Sequence, residues 1–214
     1  MPKATVFTPD DITLISDTKF FRAKAALTPK IRALLETVHA ALKEELAGIE
    51  LLTPPGFDPA KCQYVKGEHL EDYPYQYLDF PKHFEADEKF AFRTLFWWGH
   101  HIVFALIVEG TGLRRYKENL INRYREVAGR DIHLCLSPTP WDWKQGAGYT
   151  LPLTRDRKSE AAAVLSNRPF FKLARFVPLD DPAVANGRLP DTARMALRAM
   201  LPVIAVEESP ACRT

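Results

Sequence analysis

The sequence predicts an α+β fold: a single domain with a central, mostly antiparallel sheet and helices packed on it as a second layer. Three observations predict it. Residues 90–109, FAFRTLFWWGHHIVFALIVE, are aromatic or β-branched for most of their length and are broken once by Gly99, as a β-hairpin is. Ile31, Leu34, Leu35, Val38, Leu42 and Leu46 recur at steps of three and four, the apolar stripe of an amphipathic helix. Runs of strand and helix character then alternate irregularly along the chain, which is the pattern of α+β rather than of repeated βαβ units.

Gly99 and His100 as the central pair of a type II′ turn would set Trp97 opposite Ile102, Leu95 opposite Phe104 and Arg93 opposite Leu106. Both faces of such a hairpin are largely apolar. It therefore belongs in the middle of a sheet whose two faces are at least partly covered.

Thr8-Pro9-Asp10-Asp11 starts a short helix that runs to about Ile15, with Thr8 as its cap and the two aspartates at the positive end of the helix dipole. Helical spacing resumes after Ser16-Asp17, and Thr28-Pro29 is expected to kink the helix or begin it afresh before it closes near Gly48. Residues 52–59, LTPPGFDP, are loop. Residues 62–66 are an edge strand, Lys66-Gly67-Glu68 a turn, and residues 73–80, YPYQYLDF, a strand with Pro74 at its start or at an edge. Residues 81–89 are charged and expected as an exposed connection. After Gly110-Thr111-Gly112, the stripe Leu113, Tyr116, Leu120, Ile121, Tyr124 and Val127 predicts one helix ending at Gly129, and residues 131–136 alternate as a strand. Residues 137–153, SPTPWDWKQGAGYTLPL, form a long loop whose aromatics must cover apolar surface or line an opening. A short helix over 157–165, a strand over 169–177, an irregular stretch over 179–186 and a last helix over 190–206 complete residues 1–206. Residues 207–214 are expected to be a disordered tail.

With 214 residues, 46% of them hydrophobic, the chain can bury a full core. Its 29 basic and 27 acidic residues give a formal charge of +2, which does not favour nucleic acid as a partner. Cys62, Cys135 and Cys212 are odd in number and widely spaced, suiting a reducing compartment. No apolar run is long enough to cross a bilayer and the N-terminus lacks a signal-peptide core, so a cytoplasmic location and no membrane partner are expected. No cofactor fingerprint, P-loop, HExxH or nucleophile elbow is present.

Four weaker constellations could carry chemistry. Arg93 lies among apolar neighbours and needs an acceptor, with Asp79 the nearest candidate and Glu109 and Glu71 behind it. The pair is either a structural ion pair or the floor of an anion-binding pocket walled by Tyr75, Tyr77 and Trp97, with Trp141 and Trp143 above it. His100-His101 would chelate a metal only if the turn were irregular, with His69, Glu71 or Asp72 as further ligands; no metal is expected. The Trp141-Asp142-Trp143 loop, hinged at Gly146 and Gly148, is a lid or a flap that completes the core. Cys135 shares a strand face with His133, without a third group to orient them.

The segments Lys66-Gly67-Glu68 through Tyr73, Leu78-Asp79-Phe80-Pro81 and Phe90 to Gly99 resemble a family of uncharacterised bacterial proteins sharing a glycine-glutamate pair, an L-D-Y-P sequence and an F-A-F-R-T-x-F-W-W-G hairpin. The resemblance extends in outline to Phe7-Thr8-Pro9-Asp10-Asp11, Trp141 and Phe171-Lys172-Leu173-Ala174. A looser likeness in element order, through Phe170, Phe171, Ala174, Arg175, Leu201 and Pro202, is to the YktB-like proteins of unknown function. Both resemblances imply a bacterial cytoplasmic α+β domain, and neither implies an activity or catalytic residues.

The leading expectation is a non-catalytic domain that binds a small anionic ligand or a protein partner through Arg93, Tyr75, Tyr77 and the tryptophan loop. The alternatives are an enzyme drawing acid-base groups from Asp79, His101 and His133, and a homodimer that buries an aromatic sheet face across a two-fold.

Overall fold

A computed structural model describes residues 5–206; the expected tail at 207–214 and Cys212 lie outside the described residues. A seven-stranded antiparallel sheet runs in the order β1-β2-β3-β4-β7-β5-β6, formed by β1 (Gln63–Leu70), β2 (Tyr73–Glu85), β3 (Glu88–Trp97), β4 (His101–Glu109), β5 (His133–Cys135), β6 (Thr150–Pro152) and β7 (Phe170–Pro178). The helices are α1 (Pro9–Ile15), α2 (Thr18–Leu46), α3 (Leu113–Asn122), α4 (Tyr124–Val127), α5 (Lys158–Ser166), α6 (Pro182–Ala185) and α7 (Leu189–Ile204). The α+β class, with helices packed on an antiparallel sheet, is as the sequence predicts.

The β3–β4 hairpin sits third and fourth in the sheet and is buried on both faces. One face, carrying Phe90, Phe92, Phe104 and Leu106, packs with Leu35, Val38 and Leu42 of α2 and Leu197 and Met200 of α7 in the main core. The other carries Leu95, Trp97, Val103, Ala105 and Ile107, and joins Ala174, Phe176, Cys135 and Trp143 in a second, smaller core.

The hairpin register differs from the expected one by a single residue on β4. Arg93 pairs with Ala105, Leu95 with Val103 and Phe96 with Ile102. The turn is closed by the His100 N–H donating to the Trp97 carbonyl at 3.2 Å, and Gly99 stands third in it at φ +73, where a type II turn requires a positive φ. The shift moves Phe104 and Leu106 to the helix face and leaves Arg93 above small Ala105. With both faces of β4 apolar, its alternation does not distinguish the two registers.

Other boundaries also move. Glu71 and Asp72, at φ 49 and 67, make the two-residue turn between β1 and β2, so Lys66-Gly67-Glu68 is strand and not turn. Gly67 is needed there because a Cβ would fall 2.3 Å from the Tyr75 ring. Residues 81–85 are not an exposed connection: β2 passes a register shift after Asp79 and pairs with β3 as far as Glu85, burying His83. Lys82 and Phe84 fall on one side and His83 and Glu85 on the other, an alternation that the charge of this stretch hides. Helix α2 is continuous through Pro29. Ala25, whose carbonyl the missing N–H would have served, is exposed, while the Gln76 amide donates to the Thr28 carbonyl at 3.1 Å. The helix expected to reach Gly129 breaks at Arg123 into α3 and α4, the long loop contains strand β6, and 179–186 contains the short α6. α7 runs on to Ile204, two residues past Pro202.

Leu42 lies wholly buried between α2 and the sheet. Leu42→Ala is expected to cost about 2–5 kcal/mol, and a thermal melt followed by circular dichroism should fall by roughly 5–15 °C.

Candidate functional site

The sheet face opposite the helices gathers an unusual number of charged groups for a buried surface. Tyr77 pairs with Leu95 and Asp79 with Arg93 across β2 and β3, so the alternation of each strand sends Tyr75, Tyr77, Asp79, Arg93 and Leu95 to this face. Asp79 is fully buried. It accepts from Nε and one Nη of Arg93 at 2.7 Å each, a bidentate pair. The guanidinium carbon lies 3.7 Å from the Tyr77 ring centroid, 5.2 Å from that of Trp141 and 5.5 Å from that of Trp143. Cation–π attraction from these rings offsets part of the lost hydration.

Above Arg93 is a cavity of about 360 Å³ walled by Tyr75, Tyr77, Phe84, Trp141 and Trp143, with Gln63 at its side. Tyr75 and Tyr77 stack with their planes 6° apart, and the Trp141 ring meets Phe84 edge-on at 6.0 Å. Lys82 reaches the Gln63 side-chain oxygen. Burial raises the pKa of Tyr77 despite the neighbouring guanidinium, so its hydroxyl stays protonated at neutral pH.

The wall formed by residues 137–149 is held by two basic residues to which sequence reasoning assigned no role. Lys172, in the middle of β7, is completely buried. Its ammonium donates to the carbonyl of Pro140 at 2.9 Å and to that of Asp142, and lies 3.9 Å from the Trp143 ring centroid. Burial lowers its pKa, with Cys135 and Asp142 acting the other way and Arg93 adding to the lowering. Arg168 donates to the Ser137 carbonyl at 2.7 Å and to that of Leu136. A lone lysine inside the apolar run Phe170-Phe171-Lys172-Leu173 was the available signal. Its partners are backbone carbonyls thirty or so residues away, which side-chain pattern does not reveal.

The loop therefore divides its tryptophans. Trp143 is buried in the second core, while Trp141 is 41% exposed at the cavity mouth. The structure brings together Arg93, Asp79, Tyr75, Tyr77, Trp141 and Trp143. Trp97 shares the face but not the cavity: it is buried, its Nε1 donates to the Leu70 carbonyl at 3.1 Å, and His100 stacks on it at 3.7 Å. Its removal from the wall follows from the strand end, where the turn and Leu70 cover it.

Asp79, His101 and His133 do not converge. Asp79, Arg93, Ala105, Ala174 and His133 are successive cross-strand neighbours, so Asp79 and His133 are separated by four strand spacings, about 19 Å. His101 Nε2 donates to the Trp143 carbonyl at 3.1 Å and helps to hold the loop. Burial lowers the pKa of both histidines. The Cys135 thiol is pushed up to about 11 by burial, which opposes thiolate chemistry beside His133. Among the described residues, no three His, Cys, Asp or Glu side chains are grouped to hold a metal ion. A larger cavity, about 440 Å³, opens on the helix side between Leu46, Leu51, Phe57 and Phe80; its charged group is exposed Lys43, and no polar groups converge in it.

Removing one partner of a buried ion pair strands the other. Arg93→Leu alone is expected to cost about 3–5 kcal/mol, and Arg93→Leu with Asp79→Leu distinctly less, by urea unfolding of the variants. Acid should also destabilise the fold. His101 and His133 stay neutral in the folded protein below the pH at which the unfolded chain takes up protons, so their stabilising contribution is complete above about pH 6.5 and lost as pH falls toward their lowered values. Melting temperature is expected to drop between pH 7 and pH 5, and to drop less in the His101→Gln, His133→Leu variant. Comparison of the chain with protein-family models, with curated proteins and with solved structures finds no match.

Proposed function

We propose that this chain is a bacterial cytoplasmic domain, related to the proteins that share its F-A-F-R-T-x-F-W-W-G hairpin, that binds a small anionic ligand with a flat apolar body over Arg93. The observation that carries this reading is that Arg93 is the one charged side chain among the residues lining a cavity that is mostly aromatic, with Leu70, Leu95 and Gln63 completing it. Asp79 takes two of the five N–H groups that a guanidinium carries, leaving donors for an acceptor above it. The stacked tyrosines and Trp141 supply rigid flat surfaces for the rest of the ligand.

The reading is of binding without catalysis, because the acid-base groups Asp79, His101 and His133 serve the ion pair, the loop and the sheet. A dimer through the aromatic sheet face is not proposed, since residues 137–149 and the second core occupy much of that face. Among the described residues no helix is long and apolar enough to cross a membrane.

Native mass spectrometry of protein from its own host is the test, beside thermal shift with a panel of aromatic and aliphatic carboxylates. A bound carboxylate at about a hundred times its Kd should raise stability by about 2.7 kcal/mol, a shift of roughly 5–10 °C. Trp141→Ala, at an exposed wall, should leave the unliganded melt nearly unchanged and weaken binding about tenfold or more. A ligand held equally by the Trp141→Ala and Tyr77→Ala variants would place binding elsewhere.

A further inference from the structure

The N-terminal helices carry an apolar surface that their own chain leaves open. α1 has no buried residue, and burial along α2 begins only at Ile31. Upstream of that point Phe7, Leu14, Ile15, Phe20, Phe21 and Leu27 are all exposed, between 44% and 69% of their surface. Phe20, Lys24, Leu27 and Ile31 follow one another at steps of four, three and four, so the stripe that packs from Ile31 to Leu42 continues past the body of the protein. Lys24 on that line still reaches Glu68 at the edge strand β1. Phe20 and Phe21 meet edge-on at 5.5 Å and stand open to solvent. Helical segments this short are marginal in water without an apolar face to pack on. The capping box at Thr8 and Asp11 starts α1 but covers none of its side chains.

The charges along the segment name the partner. Asp10, Asp11 and Asp17 come first along it, and Lys19, Arg22 and Lys24 follow. Two such segments laid antiparallel set the acidic half of each against the basic half of the other, the complementarity that a two-fold axis provides. Val6, Phe7, Ile12, Leu14, Ile15, Phe20, Phe21 and Leu27 are all exposed, and pairing two copies would take apolar surface out of water on both. We propose that residues 5–27 form a two-fold-symmetric helical interface with a second copy of this chain.

Sedimentation equilibrium of the full chain over a wide concentration range tests this. A reversible dimer is expected. Phe20→Asp with Phe21→Asp should raise its dissociation constant about thirtyfold or more, as loss of an aromatic hot spot does, without changing the thermal melt of the monomer, whose core excludes both rings. Arg22→Glu should weaken the dimer, and adding Asp10→Lys should restore it. A wild-type chain that stays monomeric throughout overturns the proposal, and binding of that monomer to anionic lipid vesicles would assign the segment to a membrane surface instead. A dimer indifferent to the Phe20→Asp, Phe21→Asp change would also overturn it.

Discussion

Burial of the β3–β4 ladder on both faces is the constraint from which the rest of the architecture follows. A sheet with two apolar faces must be covered twice. The helices α2 and α7 cover one face with a regular stripe of leucines, valines and alanines. The other is covered by the irregular segment 137–149, which has a backbone full of polar groups to satisfy. Lys172 and Arg168 meet that need by donating to its carbonyls, and His101 does so from the hairpin. Charge is thus drawn into the second core because a loop, unlike a helix, does not pair its own carbonyls.

The same requirement builds the cavity. A flap of irregular chain does not fill the space over a sheet as a helix would, and the volume left lies where Trp143 is drawn inward and Trp141 is not. Arg93 stands at the floor because the β3–β4 register sets it against Ala105, whose small side chain leaves room for a guanidinium and its aromatic neighbours. The bidentate pair with Asp79 then ties β2 to β3 at the position where β2 shifts register. The ion pair keeps the guanidinium in place beneath the cavity, against the Tyr77 ring. The N-terminal helices display the apolar stripe of α2 without the sheet that covers it farther along.

Features that depend on residues close in the chain were readable from the amino acids alone. The stripe from Ile31 to Leu46, the cap at Thr8 and the apolar hairpin with Gly99 in its turn are local patterns, and so was the need of Arg93 for a carboxylate, which the alternation of β2 offered as Asp79. The arginine, both tyrosines and both loop tryptophans of the cavity were therefore in view before any coordinates. What only the tertiary structure decided were matters of register and of distant backbone. The one-residue shift of β4, the exclusion of Trp97 from the cavity, the extension of β2 to Glu85 and the burial of Lys172 against the carbonyls of Pro140 and Asp142 all turn on which surfaces meet. An apolar residue satisfies either face of a doubly buried sheet, and a carbonyl is the same in every residue, so neither choice leaves a mark in side-chain pattern.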